Sequence, residues 1–441
     1  MKTPHPSDVL RVALLGGGTV GSQVARIIEQ DAHELTDRIG ARLELVGVAV
    51  RSLDAPRDYA VDASLYTTDA EALIDQADLV IELIGGIHPA QELIERALRG
   101  GASVITGNKA LLAQQGAALT ALAEQSGSCL SYEAAVAGAI PILRPLRDSL
   151  AGDRVTRIMG IANGTTNFIL DRMDTEGAAF ADVLAEAQRL GYAEADPTAD
   201  VEGHDAAAKV AILAGLAFGT SFTLDQVACE GITSITAEDN AAAAEAGYVI
   251  KLLGIAERRT SAEGQDGAVL RVHPTLLPRE HPLAAVRGAF NAVFVEAENA
   301  GELMFYGPGA GGAPTASAVM GDVVVAAQRL VRGGGARPAR FADSGLEALD
   351  AAEAMTSVMV VVEVADQPGV LRQVAGAFEE HGASIESMRQ SLVTHGDEAT
   401  AAQLRIITHP ARQRDLDAVV ESLRELNVVQ SVLSVLRVEG K

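Results

Sequence analysis

Tryptophan is absent from the 441 residues, and phenylalanine and tyrosine bring the aromatic share to only 3%. That is too little for the platforms on which nucleic-acid bases stack. Lysine is nearly as scarce, confined to Lys2, Lys109, Lys209, Lys251 and Lys441. With a net charge of -24, binding to nucleic acid through phosphate neutralisation is not expected. Two cysteines, Cys129 and Cys229, are too few and too far apart for a disulfide framework or a zinc site. Both read as buried small hydrophobes. No apolar run reaches the length of a membrane span. The first residues lack the basic-then-apolar pattern of a signal peptide, so the expected compartment is the cytoplasm.

What is present is an apolar share of 48% beside 21% charged residues, the balance of a folded soluble protein. A chain this long exceeds one simple core, and two to four domains are expected.

The first element is a short apolar strand, residues 11–15, followed by Gly16-Gly17-Gly18-Thr19-Val20-Gly21 and a helix to about Gln30. In a G-x-G-x-x-G turn between strand and helix, the first glycine permits the tight turn and the second lets a pyrophosphate approach the backbone. The third lets the helix pack on the sheet, and the phosphates meet the helix N-terminus. Alone, the pattern can be a glycine-rich turn. A second strand at 43–50 gives it the context of a dinucleotide site. That strand ends in Arg51 where an acid would bind the ribose of NAD. An arginine there accommodates the 2′-phosphate of NADP, although it can equally be a solvated strand-end residue.

Alternation continues with a strand over 79–84 ending in Gly85-Gly86, a helix over 89–99 and a strand over 102–106 ending in Gly107-Asn108-Lys109. A helix over 110–126 and a strand over 129–133 follow. This spacing predicts a doubly wound parallel sheet with its ligand at the C-terminal strand ends. From Pro141 onward the pattern is α+β. It has a strand over 155–161, the polar cluster Asn163-Gly164-Thr165-Thr166-Asn167 as a turn or cap, and a helix from about Phe168. Helices at 178–190, 204–218 and about 239–258 are expected, with strands at 268–276, 292–297 and 302–306. Gly307–Gly312 is dense in glycine, and Pro314 can start a helix to about Leu330. Arg332–Pro338 looks like a linker. Beyond it, strands at 357–364, 384–393, 400–408 and 428–438 and helices to about 381 and over 412–425 spell βαββαβ, a ferredoxin-like order.

The chemistry is placed around residues 194–209. The helix from Gly203 to Gly219 is almost wholly apolar, as in a buried helix, yet it carries Asp205 and Lys209 one turn apart on one face. Burying such charge costs several kcal/mol unless it is paired or lines a polar cavity. An ordinary surface ion pair is the bland alternative. The apolar flanks, and Glu194, Asp196, Asp200 and Glu202 just upstream, favour an active site.

Taken together, the fingerprint at 12–21, Gly107-Asn108-Lys109-Ala110-Leu111-Leu112, the 163–167 cluster, Glu194-x-Asp196-Pro197, the Gly203-x-Asp205-x3-Lys209 helix and Gly309-Ala310-Gly311 resemble the homoserine dehydrogenases that carry a C-terminal ACT domain. The resemblance spans nearly the whole chain. It implies an α/β protein in four parts: a Rossmann-type NAD(P)-binding domain over 1–140 completed by 314–335, an α+β catalytic and dimerisation domain over 141–313, a linker over 336–355 and an ACT regulatory domain over 356–441. It implies reversible reduction of aspartate 4-semialdehyde to homoserine with NADP, or NAD, in threonine, methionine and isoleucine biosynthesis. Lys209 would donate the proton, with Asp205 and Lys109 beside it in the catalytic group. Glu194, Asp200, Asp205 and Thr165 would hold the substrate. Gly16, Gly18, Thr19, Val20, Gly21, Arg51, Lys109 and Gly311 would hold the cofactor. A structural sodium ion is implied at Glu133, Val136, Gly138 and Ile140, the last three acting through backbone carbonyls. A homodimer or homotetramer with threonine as effector is implied as well, the regulatory module being separable near Arg337. Gly17 departs from the family, which has a bulkier residue there, and is expected to loosen the loop without removing the site.

The physical reading of these residues agrees, because hydride delivery to an aldehyde builds alkoxide charge that an ammonium both stabilises and protonates. Two other readings stay open. One is an oxidoreductase of the same plan acting on another semialdehyde or keto acid. A thiohemiacetal mechanism is disfavoured there, because no cysteine occupies a strand-end or helix-start motif. The other is a non-catalytic amino-acid sensor, against which the retained Asp205 and Lys209 speak.

Overall fold

A computed structural model describes residues 9–333, 344–395 and 399–440. Most of the glycine linker expected at 332–338 lies outside the described residues. In chain order the elements are β1 (Val9–Leu15), α1 (Thr19–Gln30), α2 (Ala32–Ile39), β2 (Arg42–Ala49), β3 (Tyr66–Thr67), α3 (Ala70–Ile74), β4 (Leu79–Glu82), α4 (Ala90–Arg99), β5 (Ser103–Thr106), α5 (Lys109–Ser126), β6 (Leu130–Ser131), β7 (Val155–Ile161), α6 (Gly164–Glu176), α7 (Phe180–Leu190), α8 (Thr198–Val201) and α9 (His204–Phe218). Then come β8 (Ala228–Cys229), α10 (Ala237–Glu245), β9 (Tyr248–Thr260), β10 (Asp266–Pro278), β11 (Phe290–Ala297), β12 (Gly301–Pro308), α11 (Gly312–Val331), β13 (Glu347–Ala348), β14 (Met355–Ala365), α12 (Val370–Glu380), β15 (Ile385–His395), β16 (Ala399–Thr408), β17 (Ala411–Arg412), α13 (Gln413–Glu425) and β18 (Val429–Val438).

The chain divides into two compact units. The first comprises residues 1–164, 205–226 and 289–345, and the second 165–204, 227–288 and 346–441. The region expected as one catalytic domain, 141–313, therefore contributes to both.

In the first unit a parallel sheet runs in the order β3-β2-β1-β4-β5-β6. Its central strands are apolar on both faces because helices cover both. Val12 and Leu14 of β1 face one core with Val24 and Ile28 of α1 and Val319 and Val323 of α11. Ala13 and Leu15 face the other with Ile94 and Leu98 of α4 and Leu111 and Leu119 of α5. This is the alternation a strand imposes. The order reverses at β1, which has β2 on one side and β4 on the other, so a crevice opens where Gly16 leaves the strand. The antiparallel strands β7, β11 and β12, paired in that order, belong to the same unit.

The second unit is built on the ribbon β9–β10, paired antiparallel over thirteen residues. β18 runs parallel to the end of β10, with Thr275 opposite Arg437 and Leu276 opposite Val438. Pairing continues antiparallel through β14, β16 and β15, with α12 and α13 packed on one core. The βαββαβ module thus shares hydrogen bonds with the ribbon. At the junction Arg271, fully buried on β10, is ion-paired to Glu257 of β9 and, at 2.8 Å, to Glu439 beyond β18. Thr356 donates to the same Glu439 at 2.8 Å. This corrects the expectation of a separable module. A chain ending near Arg337 lacks Glu439 and leaves the end of β10 without its neighbour, an exposed edge prone to aggregation.

Three further expectations are corrected. The helix expected over 239–258 stops at Glu245; the chain turns at Gly247 (φ 86°) and runs on as β9. α6 starts at Gly164, so the polar cluster is its first turn and not a preceding loop. Its side chains reach other segments, with Asn167 donating to Gly288 O at 2.8 Å and accepting from the buried Lys251 at 2.9 Å. Burial pushes the Lys251 ammonium down to about 8. Finally, Cys229 is exposed and Cys129 half-buried, so neither is a core residue.

Candidate active site

The fingerprint turn is fixed by two close approaches within the first unit. Gly16 (φ 106°) has no room for a Cβ, which would stand 2.6 Å from Leu83 O, and a Cβ on Gly21 would stand 2.0 Å from Gly16 O. Around Gly18 the space is open, with nothing within 4 Å of a built Cβ. Gly18 is also the N-cap of α1, which has no capping side chain and no acid in its first turn. The N-terminal N–H groups and the positive end of the helix dipole thus face an open cradle, the arrangement that receives a pyrophosphate. Gly17 lies against Val50, a built Cβ meeting its Cγ1 at 3.0 Å. Gly311 (φ 122°) caps α11, and Gly312 packs on Thr19. Arg51 is exposed just past β2. Because overpacking costs about 1–3 kcal/mol, Gly21→Ala is expected to weaken nicotinamide binding roughly tenfold or more. Fluorescence titration with NADPH checks it, and unchanged affinity would contradict this account of the turn.

The ends of β4 and β5 are tied by an acid that sequence reading passed over. Glu82, wholly buried, accepts from Ile84 N at 2.7 Å and from the Thr106 hydroxyl at 2.6 Å. Thr106 Oγ1 accepts from Asn108 N, and Asn108 caps α5 through Leu111 N while its amide donates to Gly86 O at 2.6 Å. An acid inside the apolar run Leu79–Ile84 was the available signal. The result is a fixed start for α5, where Lys109 stands.

From there Lys109 reaches Asp205 of α9 and forms an ion pair with its Oδ1. Lys209 Nζ donates to Asp205 Oδ2 at 2.7 Å and to Ala162 O at 2.6 Å. Asn163 Nδ2 donates to the same Oδ2 at 3.0 Å. The Asp205 and Lys209 side chains are 7% and 11% exposed, while Lys109 is 46% exposed. Burial pushes the Asp205 carboxyl up, but Lys209 and Lys109 outweigh it and hold the group far below the ordinary carboxylate range. The structure thus gathers two ammonium groups on one carboxylate, an arrangement that can protonate a developing oxyanion.

Thr165, Glu194 and Asp200 belong to the second unit. The Thr165 hydroxyl donates to Tyr192 O at 2.7 Å. Glu194 is exposed, its carboxylate without a hydrogen bond or ion pair among the described residues. Asp200 lies on α8, half-buried. Asp196 is a local cap, accepting from Thr198 N and Oγ1.

At the expected sodium site the Glu133 carboxylate is already committed. It accepts from Ile142 N, Leu143 N and Arg144 N at 2.6, 2.8 and 2.9 Å and from Arg144 Nε at 3.0 Å. Those four donors occupy its lone pairs, so Glu133 has no side-chain oxygen left for a cation. The carbonyls of Val136, Gly138 and Ile140 are different. They lie in a buried loop, where Ala137 has φ 57°, and they accept no hydrogen bond among the described residues. Unpaired buried carbonyls suit a hard cation. Asp322 accepts from Glu133 N at 2.8 Å, and burial raises its carboxyl to about 6.

A fingerprint crevice on a parallel sheet, with two lysines converging on a buried carboxylate, defines an NAD(P)-dependent oxidoreductase acting on a CH–OH group. Three family profiles match: homoserine dehydrogenase, NAD binding domain, over 16–133; homoserine dehydrogenase over 141–324; and ACT domain over 358–428. The chain is 52% identical over 436 residues to the homoserine dehydrogenase of Corynebacterium glutamicum, covering 98% of this chain and 96% of that one. The crystal structure of a homoserine dehydrogenase from Thiobacillus denitrificans superposes with a TM-score of 0.87 at 38% identity, over 98% of both chains. A hyperthermophilic archaeal homoserine dehydrogenase in complex with NADPH matches with a TM-score of 0.59 at 28% identity, over 72% of this chain and 97% of that chain. The chain belongs to the homoserine dehydrogenase family, and its ACT domain suggests regulation.

Proposed function

We propose that the protein interconverts L-aspartate 4-semialdehyde and L-homoserine with a nicotinamide cofactor, in the biosynthesis of threonine, methionine and isoleucine. The observation that carries this is the convergence of Lys109 and Lys209 on the buried Asp205.

Residues Gly16, Gly18, Thr19, Val20 and Gly21 hold the pyrophosphate, with Gly311 at the neighbouring turn. When bound, the nicotinamide supplies the hydride. Lys209 gives its proton to the carbonyl oxygen in reduction and takes it back in oxidation. Lys109 adds positive charge beside the same oxygen. Asp205 is engaged by three donors, so its main work is to orient both lysines. The exposed carboxylate of Glu194 then takes the larger share of the substrate ammonium, with Asp200 and Thr165 beside it. A sodium ion is held by the carbonyls of Val136, Gly138 and Ile140, with Glu133 bracing the loop.

NADP is the preferred cofactor, supported by Arg51 and by the NADPH named with the archaeal relative. A charge-assisted hydrogen bond contributes about 1.5–3 kcal/mol. Arg51→Ala should therefore raise KM for NADP roughly ten- to hundred-fold while leaving NAD nearly unaffected. Equal losses for both would remove Arg51 from the 2′-phosphate. Threonine is the effector, taken at the turn between β14 and α12, where Gly369 (φ 93°) caps the helix after Asp366 and Pro368. The active form is a homodimer or homotetramer, and the stacked, exposed Phe290 and Tyr306, 5.2 Å apart, favour a subunit contact at β12.

One assay tests the core reading. Absorbance at 340 nm should rise with homoserine and NADP, rise more slowly with NAD, and be suppressed by added threonine. No change with homoserine and either nucleotide would overturn it.

A further inference from the structure

Ala162 and Asn163 are consecutive, placed where β7 ends, and together they grip both members of the α9 pair. The Ala162 carbonyl accepts from the Lys209 ammonium at 2.6 Å. The Asn163 amide donates to the Asp205 carboxylate at 3.0 Å. Asn163 is 5% exposed. Oδ2 of Asp205 takes Lys209 and Asn163, and Oδ1 takes Lys109. The charges acting on Asp205 are those two lysines; the β7 end supplies only neutral groups.

We propose that Asn163 is a positioning residue for the reaction, holding the Asp205 carboxylate in register and setting how tightly Lys209 keeps its proton. This rests on reading Lys209 as the donor. A donor on a carboxylate draws off charge and weakens the carboxylate's pull on other protons. With Asn163 in place Asp205 still orients Lys209 but clings less to its ammonium, so the proton is released more readily. Only the amino group of an amide can face a carboxylate here; an oxygen would be repelled. That gives a reason for asparagine where a turn or cap position would equally accept aspartate.

The test is kcat for aldehyde reduction across about pH 6 to 10, where the alkaline limb reports the donor's protonation. Three variants, Asn163→Ala, Asn163→Ser and Asn163→Asp, are compared with wild type and with Lys209→Ala. Asn163→Ala should lower kcat roughly tenfold and move the alkaline limb up by about half to one pH unit. Asn163→Asp, which adds a second carboxylate, should move it further in the same direction. Asn163→Ser, whose hydroxyl can still donate, should return part of the way and guards against simple misfolding. KM for the nicotinamide should hold throughout. A limb that stays at its wild-type pH in all three, while Lys209→Ala abolishes it, overturns the role of Asn163 and leaves the donor intact. Near-normal kcat in Lys209→Ala overturns the reading beneath it.

Discussion

Lys209→Ala is expected to lower kcat by roughly 10²–10⁴, the range for loss of a general acid. The ammonium is 11% exposed and fixed by Asp205 Oδ2 at 2.7 Å and Ala162 O at 2.6 Å. Its charge is worth most where alkoxide charge develops, so the loss should fall on kcat more than on homoserine KM. Nicotinamide affinity should be nearly unchanged, because the cradle proposed for the pyrophosphate, Gly16–Gly21, is set by backbone shape. Asp205→Asn should also be severe, since two lysines lose their common anion at once. If the pair were only structural, breaking it would cost about 3–5 kcal/mol of stability with activity per folded molecule preserved. Melting and kinetics on one sample decide, and a low Tm with near-normal kcat removes α9 from the chemistry.

Arg271→Met should produce the largest loss of stability. Arg271 is 3% exposed and stands between Glu257 and Glu439. Burial alone lowers its pKa, but the two carboxylates outweigh this and raise it. Without the guanidinium, two like charges remain buried together, at a cost of about 5 kcal/mol. That corresponds to a fall in Tm of about 10 °C or more. The sign with pH follows from the variant's chemistry. Glu257 keeps Arg259 at 2.7 Å and Glu439 keeps the Thr356 hydroxyl at 2.8 Å, but both lose the buried cation they share, so burial is expected to raise their folded pKa values above the unfolded ones, and their neutral forms are tolerated at low pH. Stability is lost as pH rises through those folded values. The deficit against wild type should therefore be smaller at pH 5 than at pH 8. A deficit independent of pH would mean that packing, not charge, is what Arg271 supplies.

Much of this architecture was open to reading. The fingerprint, the strand-helix alternation and the βαββαβ order follow from local patterns that tertiary context did not override. The sequence of β9 reads as helix because Tyr248–Thr260 carries apolar residues at helical as well as strand spacing. Its pairing with β10 decides the matter, and that is a contact between segments. In the site, Asp205 and Lys209 announce themselves because a helix puts residues four apart on one face. Lys109 and Asn163 reach the same carboxylate from 96 and 42 residues away. No periodicity encodes such convergence. The resemblance implies Glu133 as a ligand by position, but whether a carboxylate is free depends on which N–H groups the fold turns towards it.

The scarcity of lysine has a practical corollary. Lys209 and Lys251 are enclosed, and Lys109 alone of the three lysines within the described residues stands half open. Reagents that attack amines, such as activated esters or aldehydes with a hydride reductant, meet almost no competing targets on the body of this protein. Among the described residues, what they modify is the amine beside Asp205. The extent of labelling at Lys109 becomes a gauge of how far a bound ligand shields that amine, readable by mass spectrometry without any turnover.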